Sequence, residues 1–232
     1  MWKTVKLEDI CQIGDGNHSS NYPKSSEMVE QGVPFLRAGN IQSGTVSDKD
    51  LKFITPIKHL ILKKGHLKKG DVLITNRGEI GKTAIVPKIF DGANLNSQVA
   101  WLRPDERLLS AFLYYVLNTP SARASFKSRQ TGTALQQLTI RQIKQLEIPL
   151  PPLAEQERIV AKLDAAFAEI DEAINAAIAK ETEVQKLKAS LLSSSLSGDA
   201  VMWKTVKLGD VCKIFNGGTP KSGVKSYWEG DV

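Results

Sequence analysis

Cysteine and histidine are scarce in this 232-residue chain, two and three respectively, and the scarcity removes several protein classes at once. Cys11 and Cys212 sit at matching places in an internal repeat described below, which gives no basis for a structural disulfide or a zinc site. No apolar run reaches membrane length. Met1–Ile13 carries Lys3, Lys6, Glu8 and Asp9 where a signal peptide needs an apolar core. The expected location is therefore cytoplasmic, with no membrane partner. There is no dinucleotide-type glycine fingerprint and no zinc-ligand spacing. From Leu153 no proline follows for over 40 residues, and no glycine comes before Gly198.

That uninterrupted stretch is entered through Ile148-Pro149-Leu150-Pro151-Pro152, whose prolines hold the backbone extended. Leu163, Ile170, Ala177, Val184 and Leu191 then recur every seven residues, and Phe167, Ile174 and Leu187 widen the line into a face. The pattern predicts one long amphipathic helix that buries a stripe against another helix. Some 45 helical residues span roughly 65–70 Å, more than a domain of this size needs. Glu155, Glu157, Asp164, Glu169, Asp171 and Glu172 lie toward its N-terminal end and Lys186 and Lys188 toward its C-terminal end, in accord with the helix dipole. The competing reading, a surface helix packed on its own domain, is opposed by the length and by the missing helical partner.

With 41 % hydrophobic residues the chain can build one ordinary core beside this extension. The net charge of +6 divides unevenly: +8 over residues 1–152, −4 over 153–201 and +2 over 202–232. A basic head joined to an acidic rod suggests one surface for a polyanion and another for protein partners, although plain solubility also produces basic domains.

Within the head, residues 1–13 suggest an edge strand running into a short helical turn. A polar loop follows from Gly14 to Ser20, with Asn17 and His18 in it. Val33–Arg37 reads as a strand and Ala38–Ile41 as a turn carrying Asn40. Lys58–Lys69 is densely basic, with Lys63, Lys64, Lys68 and Lys69. Gly70–Thr75 and Ala84–Val86 read as two strands of a hairpin whose tip presents Arg77 and Lys82. Gly81-Lys82-Thr83 imitates the end of a nucleotide-binding phosphate loop. However, Asn76 stands where that loop needs its first glycine, and β-branched sequence follows instead of a helix. Val99–Leu102 predicts a further strand, Asp105–Asn118 a helix closed by Pro120, and Thr119-Pro120 the start of another with Arg123, Lys127 and Arg129. Residues 131–143 join a polar loop, including Thr133, Gln136 and Gln137, to a helix with capping-box spacing at Thr139 and Gln142. Such loops suit base and phosphate contacts and are equally ordinary surface connections.

Residues 202–208, MWKTVKL, repeat residues 1–7 letter for letter, and the match continues at Asp9/Asp210, Cys11/Cys212, Ile13/Ile214 and Gly16/Gly217. A second copy of the opening of the head therefore begins at Met202. The two copies can compete for one docking place. The expected organisation is a head over 1–150, a long helix over 151–198 and the start of a second head over 199–232.

IPLPPLAEQERIVAKLD at 148–164, GDVLITNRGEIGKTAIV at 70–86, TGTALQQLTIRQI at 131–143 and Gly217-Gly218-Thr219-Pro220 together resemble the specificity subunits of type I DNA restriction-modification systems, in a half-length form. The resemblance implies an α+β fold, a mixed α/β target-recognition domain followed by a long helix that pairs as an antiparallel coiled coil. It implies a non-catalytic subunit that binds double-stranded DNA and docks methyltransferase (modification) subunits and a restriction subunit. No cofactor is expected in this subunit; S-adenosylmethionine, ATP and magnesium belong to those partners. The sequence has no Asn/Asp-Pro-Pro-Tyr/Phe methylation tetrad, in keeping with that role.

On this reading Lys63, Lys64, Lys68, Lys69, Lys82 and Arg129 anchor phosphates, while Asn17, His18, Arg37, Asn40, Arg77 and Gln136 read bases. Leu163, Phe167, Ile170, Ile174, Val184, Leu187 and Leu191 would join two chains as a homodimer, whose symmetry calls for an interrupted palindromic target. The rivals are a coiled-coil scaffold without a DNA role and a stand-alone DNA-modifying enzyme.

Overall fold

The computed structural model of the chain describes residues 2–17, 22–42, 44–131, 136–196, 204–215 and 217. They form two compact units, Met1–Ile170 and Asp171–Val232, with the division falling inside the long helix. In chain order the strands are β1 Lys3–Lys6, β2 Cys11–Asp15, β3 Met28–Val29, β4 Val33–Leu36, β5 Ile41–Gln42, β6 Thr45–Val46 and β7 Lys52–Ile54. A short helix α1, Pro56–Ile61, precedes β8 Val72–Thr75, β9 Thr83–Ile85, β10 Asn94–Leu95 and β11 Val99–Pro104. Helices α2 Ser110–Leu117, α3 Pro120–Arg129 and α4 Ile140–Lys144 then lead through β12 Glu147–Leu150 into α5 Leu153–Leu196; α6 is Leu208–Val211.

The central sheet has the order β2-β11-β8-β9, all neighbours antiparallel. Burial on both faces explains why Val72-Leu73-Ile74 of β8 is an unbroken apolar run. Val72 and Ile74 enter one core with Ala100, Leu102, Phe112, Leu113, Phe126 and Ile143, whereas Leu73 enters a second with Leu36, Leu67, Ala84, Phe90 and Leu95. Helices cover the first face; β4, β10 and long connections cover the second. A second sheet, β10-β4-β7-β3, contains one parallel pair, β10 with β4, so the fold is α+β with a mixed sheet.

The first strand and the short 3₁₀ turn at Leu7–Asp9 follow the sequence reading, whereas β2 is a further strand that takes in Gly14 and Asp15 from the expected polar loop. The helix expected to begin at Asp105 begins at Ser110 instead. Asp105 accepts the Arg107 amide at 2.9 Å and binds its guanidinium, so this segment closes as a side-chain turn before the helix can start. Thr119 caps α3 and Thr139 caps α4, the latter in the reciprocal box with Gln142.

Helix α5 runs 44 residues, about 66 Å at the ordinary rise. Its first turns are seated on the head: Ile159 and Val160 pack on the larger core, and Phe167 stacks on Tyr115 with ring centroids 5.8 Å apart. The Tyr115 hydroxyl also donates to Asp164. Gln156 fixes the junction. It is fully buried, its amide donates to Arg107 O and Pro151 O, and its carbonyl accepts from Leu109 N, each at 2.9 Å. In the second unit Ile174, Val184, Leu187 and Leu191 are about half exposed or more. No described helix is long and apolar enough to cross a membrane.

Candidate nucleic-acid interface

The β8–β9 hairpin builds the first part of the candidate surface. Thr75 organises its tip: its hydroxyl donates to Glu79 O and accepts from Lys82 N, while its carbonyl accepts from Gly81 N. Gly78 and Gly81 both take positive φ there, +78° and +93°, which a side chain would strain. The tip then joins the 131–143 segment across some sixty residues of sequence. Arg77 forms a β-bridge with Gln137, its guanidinium donates to Gln137 Oε1 at 3.0 Å, and Leu138 N donates to Asn76 O at 2.8 Å. Gln136 is exposed beside it and Gln98, also exposed, accepts the Asn76 amide through its carbonyl. Lys82 pairs with Glu79 at 2.7 Å in a solvated contact. Arg129 is exposed at the end of α3, with its carbonyl held by the Gln142 amide.

The remaining basic residues separate into groups. Lys63 and Lys64 are exposed on the rim of a cleft of about 570 Å³ that also has Asp15, His66, Trp101 and Arg103 in its lining. Arg103 lies over the Trp101 ring, 4.7 Å from its centroid. Lys68 and Lys69 are exposed at the opposite end of β8 from Arg77, with about 13 Å of strand between. Their backbone amides are bound by Asp71 and Asp91. Lys58 is held by Glu27 at 3.0 Å with a mostly covered side chain, so the dense basic run is not one open surface.

Three expected base readers have structural work instead. Asn17 is buried and donates to Lys64 O at 2.6 Å. Asn40 is buried as well; its amide spans Ser47 O and Lys49 O while its carbonyl accepts Arg37 N. Neither side chain is offered outward. Arg37 is half-buried and donates to Asp50 O at 2.8 Å. His18 and Thr133 lie outside the described residues. Sequence reasoning missed two polar clamps: Gln156, and the pair of Asp71 with Arg103, whose guanidinium makes contacts of 2.7 and 2.8 Å to a carboxylate that is almost wholly buried. Apart from Pro151, five residues before Gln156, their partners are 32 to 49 residues away, and no local spacing marks them. Among the described residues no group of three or more His, Cys, Asp or Glu side chains is placed to hold a metal ion.

The head is thus a mixed-sheet domain whose last strand leads into one long helix. The family model described as the type I restriction modification DNA specificity domain matches residues 1–180, and the chain belongs to that family. It is 39 % identical over 165 residues to a putative type I restriction enzyme specificity subunit of Haemophilus influenzae, covering 68 % of this chain and 39 % of that protein. It is 26 % identical over 181 residues to the EcoBI specificity subunit of Escherichia coli, covering 76 % of this chain and 37 % of that one. Among solved structures it matches the HsdS subunit of Thermoanaerobacter tengcongensis with TM-score 0.61 and 25 % identity, over 85 % of this chain and 45 % of that one. A chain from a study of complex assembly and conformational transition of the type I R-M system matches with TM-score 0.69 and 25 % identity, over 85 % of this chain and 46 % of that one. The chain thus spans less than half the length of these relatives.

Proposed function

We propose that this chain is a non-catalytic DNA-reading subunit of a type I restriction-modification assembly, that it recognises one half of a split target, and that it docks modification and restriction subunits that carry the chemistry. The observation that carries this reading is the meeting of two of the segments that mark the family. The 70–86 hairpin and the 131–143 loop join through Arg77 and Gln137 to make one outward edge with Gln136 and Lys82. Exposed lysines and Arg129 add charge suited to phosphate, and an arginine with neighbouring amides suits base edges. No cofactor is assigned to this subunit.

Two copies pair antiparallel through α5. In support, Phe167, Ile170, Ile174, Val184, Leu187 and Leu191 are between 45 and 63 % exposed, an apolar line too long to leave in water. With Leu163 they give the narrow seam that helix pairs use. A two-fold dimer carries two identical heads and reads an interrupted palindrome.

Titration of duplexes with matched and scrambled half-sites at two salt concentrations tests the DNA reading. Arg77→Ala is expected to reduce discrimination, and the double change Lys68→Ala/Lys69→Ala to weaken all duplexes alike and flatten the salt slope by about two counterions. A protein that binds no duplex in low salt is not a DNA reader. Sedimentation tests the dimer, and a monomer at micromolar concentration with α5 folded refutes it.

A further inference from the structure

The head closes on its own first strand. β1 pairs antiparallel with β12, setting Lys3 opposite Leu150, Val5 opposite Ile148 and Lys6 opposite Glu147. The Leu7 amide then donates to Leu146 O at 2.9 Å. Leu7 and Ile10 are 0 and 1 % exposed, and with Cys11 they form part of the larger core. Everything in this seat up to Leu7 is present a second time, because Lys204-Thr205-Val206-Lys207-Leu208 repeats Lys3–Leu7. The second copy has no such seat: Val206, Leu208, Val211 and Ile214 are 50 to 66 % exposed. It even keeps the local shape, with a single helical turn at Leu208–Val211 where the first copy has its 3₁₀ turn at Leu7–Asp9.

We propose that residues 204–214 are an interchangeable edge strand for β12 of a second copy of this chain, able to take the place of residues 3–13 there. This rests on the antiparallel dimer proposed above. In such a pair the end of one α5 lies beside the start of the other, and the start of α5 follows β12 by only Pro151 and Pro152. From Leu196 the seven residues to Trp203 reach at most about 25 Å, whereas the 44 residues of α5 separate its two ends by about 66 Å. In the antiparallel pair the partner's β12 is therefore within reach of the tail.

The register follows from identity: Val206 takes the place of Val5 opposite Ile148, and Leu208 that of Leu7 below Leu146. Asp210, Cys212 and Ile214 continue the match, and Val211 stands for the similar Ile10. Two differences make the resident strand the better occupant. Gly209 replaces Glu8, whose carboxylate accepts from Gln145. Phe215 replaces Gly14, where even a Cβ would come within 2.7 Å of the Trp101 ring. The exchange thus ends at Ile214, and the resident strand holds the seat until it is displaced.

The test is a chain lacking residues 2–13 and otherwise whole. The expected result is a folded dimer, melting below the intact protein, whose transition is abolished by Val206→Asp with Leu208→Asp. The same pair of changes leaves the melting of the intact chain nearly unmoved. With Cys212→Ser, Val206→Cys and Ile148→Cys added to the deletion, oxidation yields a covalent dimer on a non-reducing gel. An unfolded deletion variant, a melt indifferent to Val206→Asp, or a disulfide found only within single chains overturns the exchange. Sedimentation of the intact chain separates the two ideas: a dimer whose deletion variant fails leaves the pairing through α5 standing, and a monomer removes both.

Discussion

Replacing Gln156 is the most direct way to loosen the head from its helix without touching the candidate DNA edge. The side chain is fully buried and makes three hydrogen bonds, to Arg107 O, Pro151 O and Leu109 N. Together these tie the loop before α2, the end of β12 and the first turns of α5. Gln156→Leu preserves the bulk and removes all three bonds. At about 1 kcal/mol each, with more for the amide and carbonyls left dry and unpaired, the loss is about 3–5 kcal/mol. That is a large share of the 5–15 kcal/mol typical of a whole domain.

Gln156→Glu adds a sharper diagnostic, because a carboxylate would face two carbonyl oxygens and could donate to neither. Its folded pKa must rise above the unfolded value of about 4.3. The penalty is absent below that value and grows as pH rises through the window up to the raised pKa. Urea unfolding followed by far-UV circular dichroism at several pH values reads both variants. A Gln156→Leu protein within about 0.5 kcal/mol of the parent, or a Gln156→Glu protein with no recovery in acid, would refute the clamp.

The Asp71–Arg103 pair predicts a loss of about 3–5 kcal/mol for Arg103→Ala, which strands a buried carboxylate; the double change to alanine should recover part of it, and a single-variant loss under about 1 kcal/mol in urea would count against the pair. Cys11 is buried and Cys212 exposed, so a thiol reagent should label one site rapidly and the other only on unfolding. Burial, with the Asp105 carboxylate adding, pushes the Cys11 thiol up to about 12. The folded state therefore keeps its proton while the unfolded chain ionises, and stability should fall by roughly 1.4 kcal/mol per pH unit above about 9. Burial and then Asp164 push the Tyr115 hydroxyl up to about 12. Asp164→Ala should bring its phenolate absorbance to lower pH, part of the way toward an ordinary tyrosine, and an unchanged titration would show that the two groups do not meet.

The elements legible in the sequence are those whose cause is local or periodic. The extent of α5 follows from a stripe and from the absence of proline and glycine, and β8 from three apolar residues and a threonine between turn signals. Capping at Thr119 and Thr139 depends on neighbours three residues away. The start of α2 does not follow from the sequence because Asp105 has two local options, opening a helix or binding the Arg107 amide, and only the surrounding fold selects between them.

The candidate site was legible as a region rather than as residues, for a related reason. Asn17, Asn40, Arg77 and Gln136 look alike in a polar loop, yet Asn17 and Asn40 turn inward to carbonyls 7 to 47 residues away, whereas Gln136 remains exposed. A buried amide needs partners that the interior supplies, and their identity is fixed only when distant segments meet. The same step that hides Asn17 and Asn40 joins Arg77 to Gln137. The pairings that decide which polar side chains are spent on the fold therefore also decide which are left to a ligand, and neither set can be read before the other.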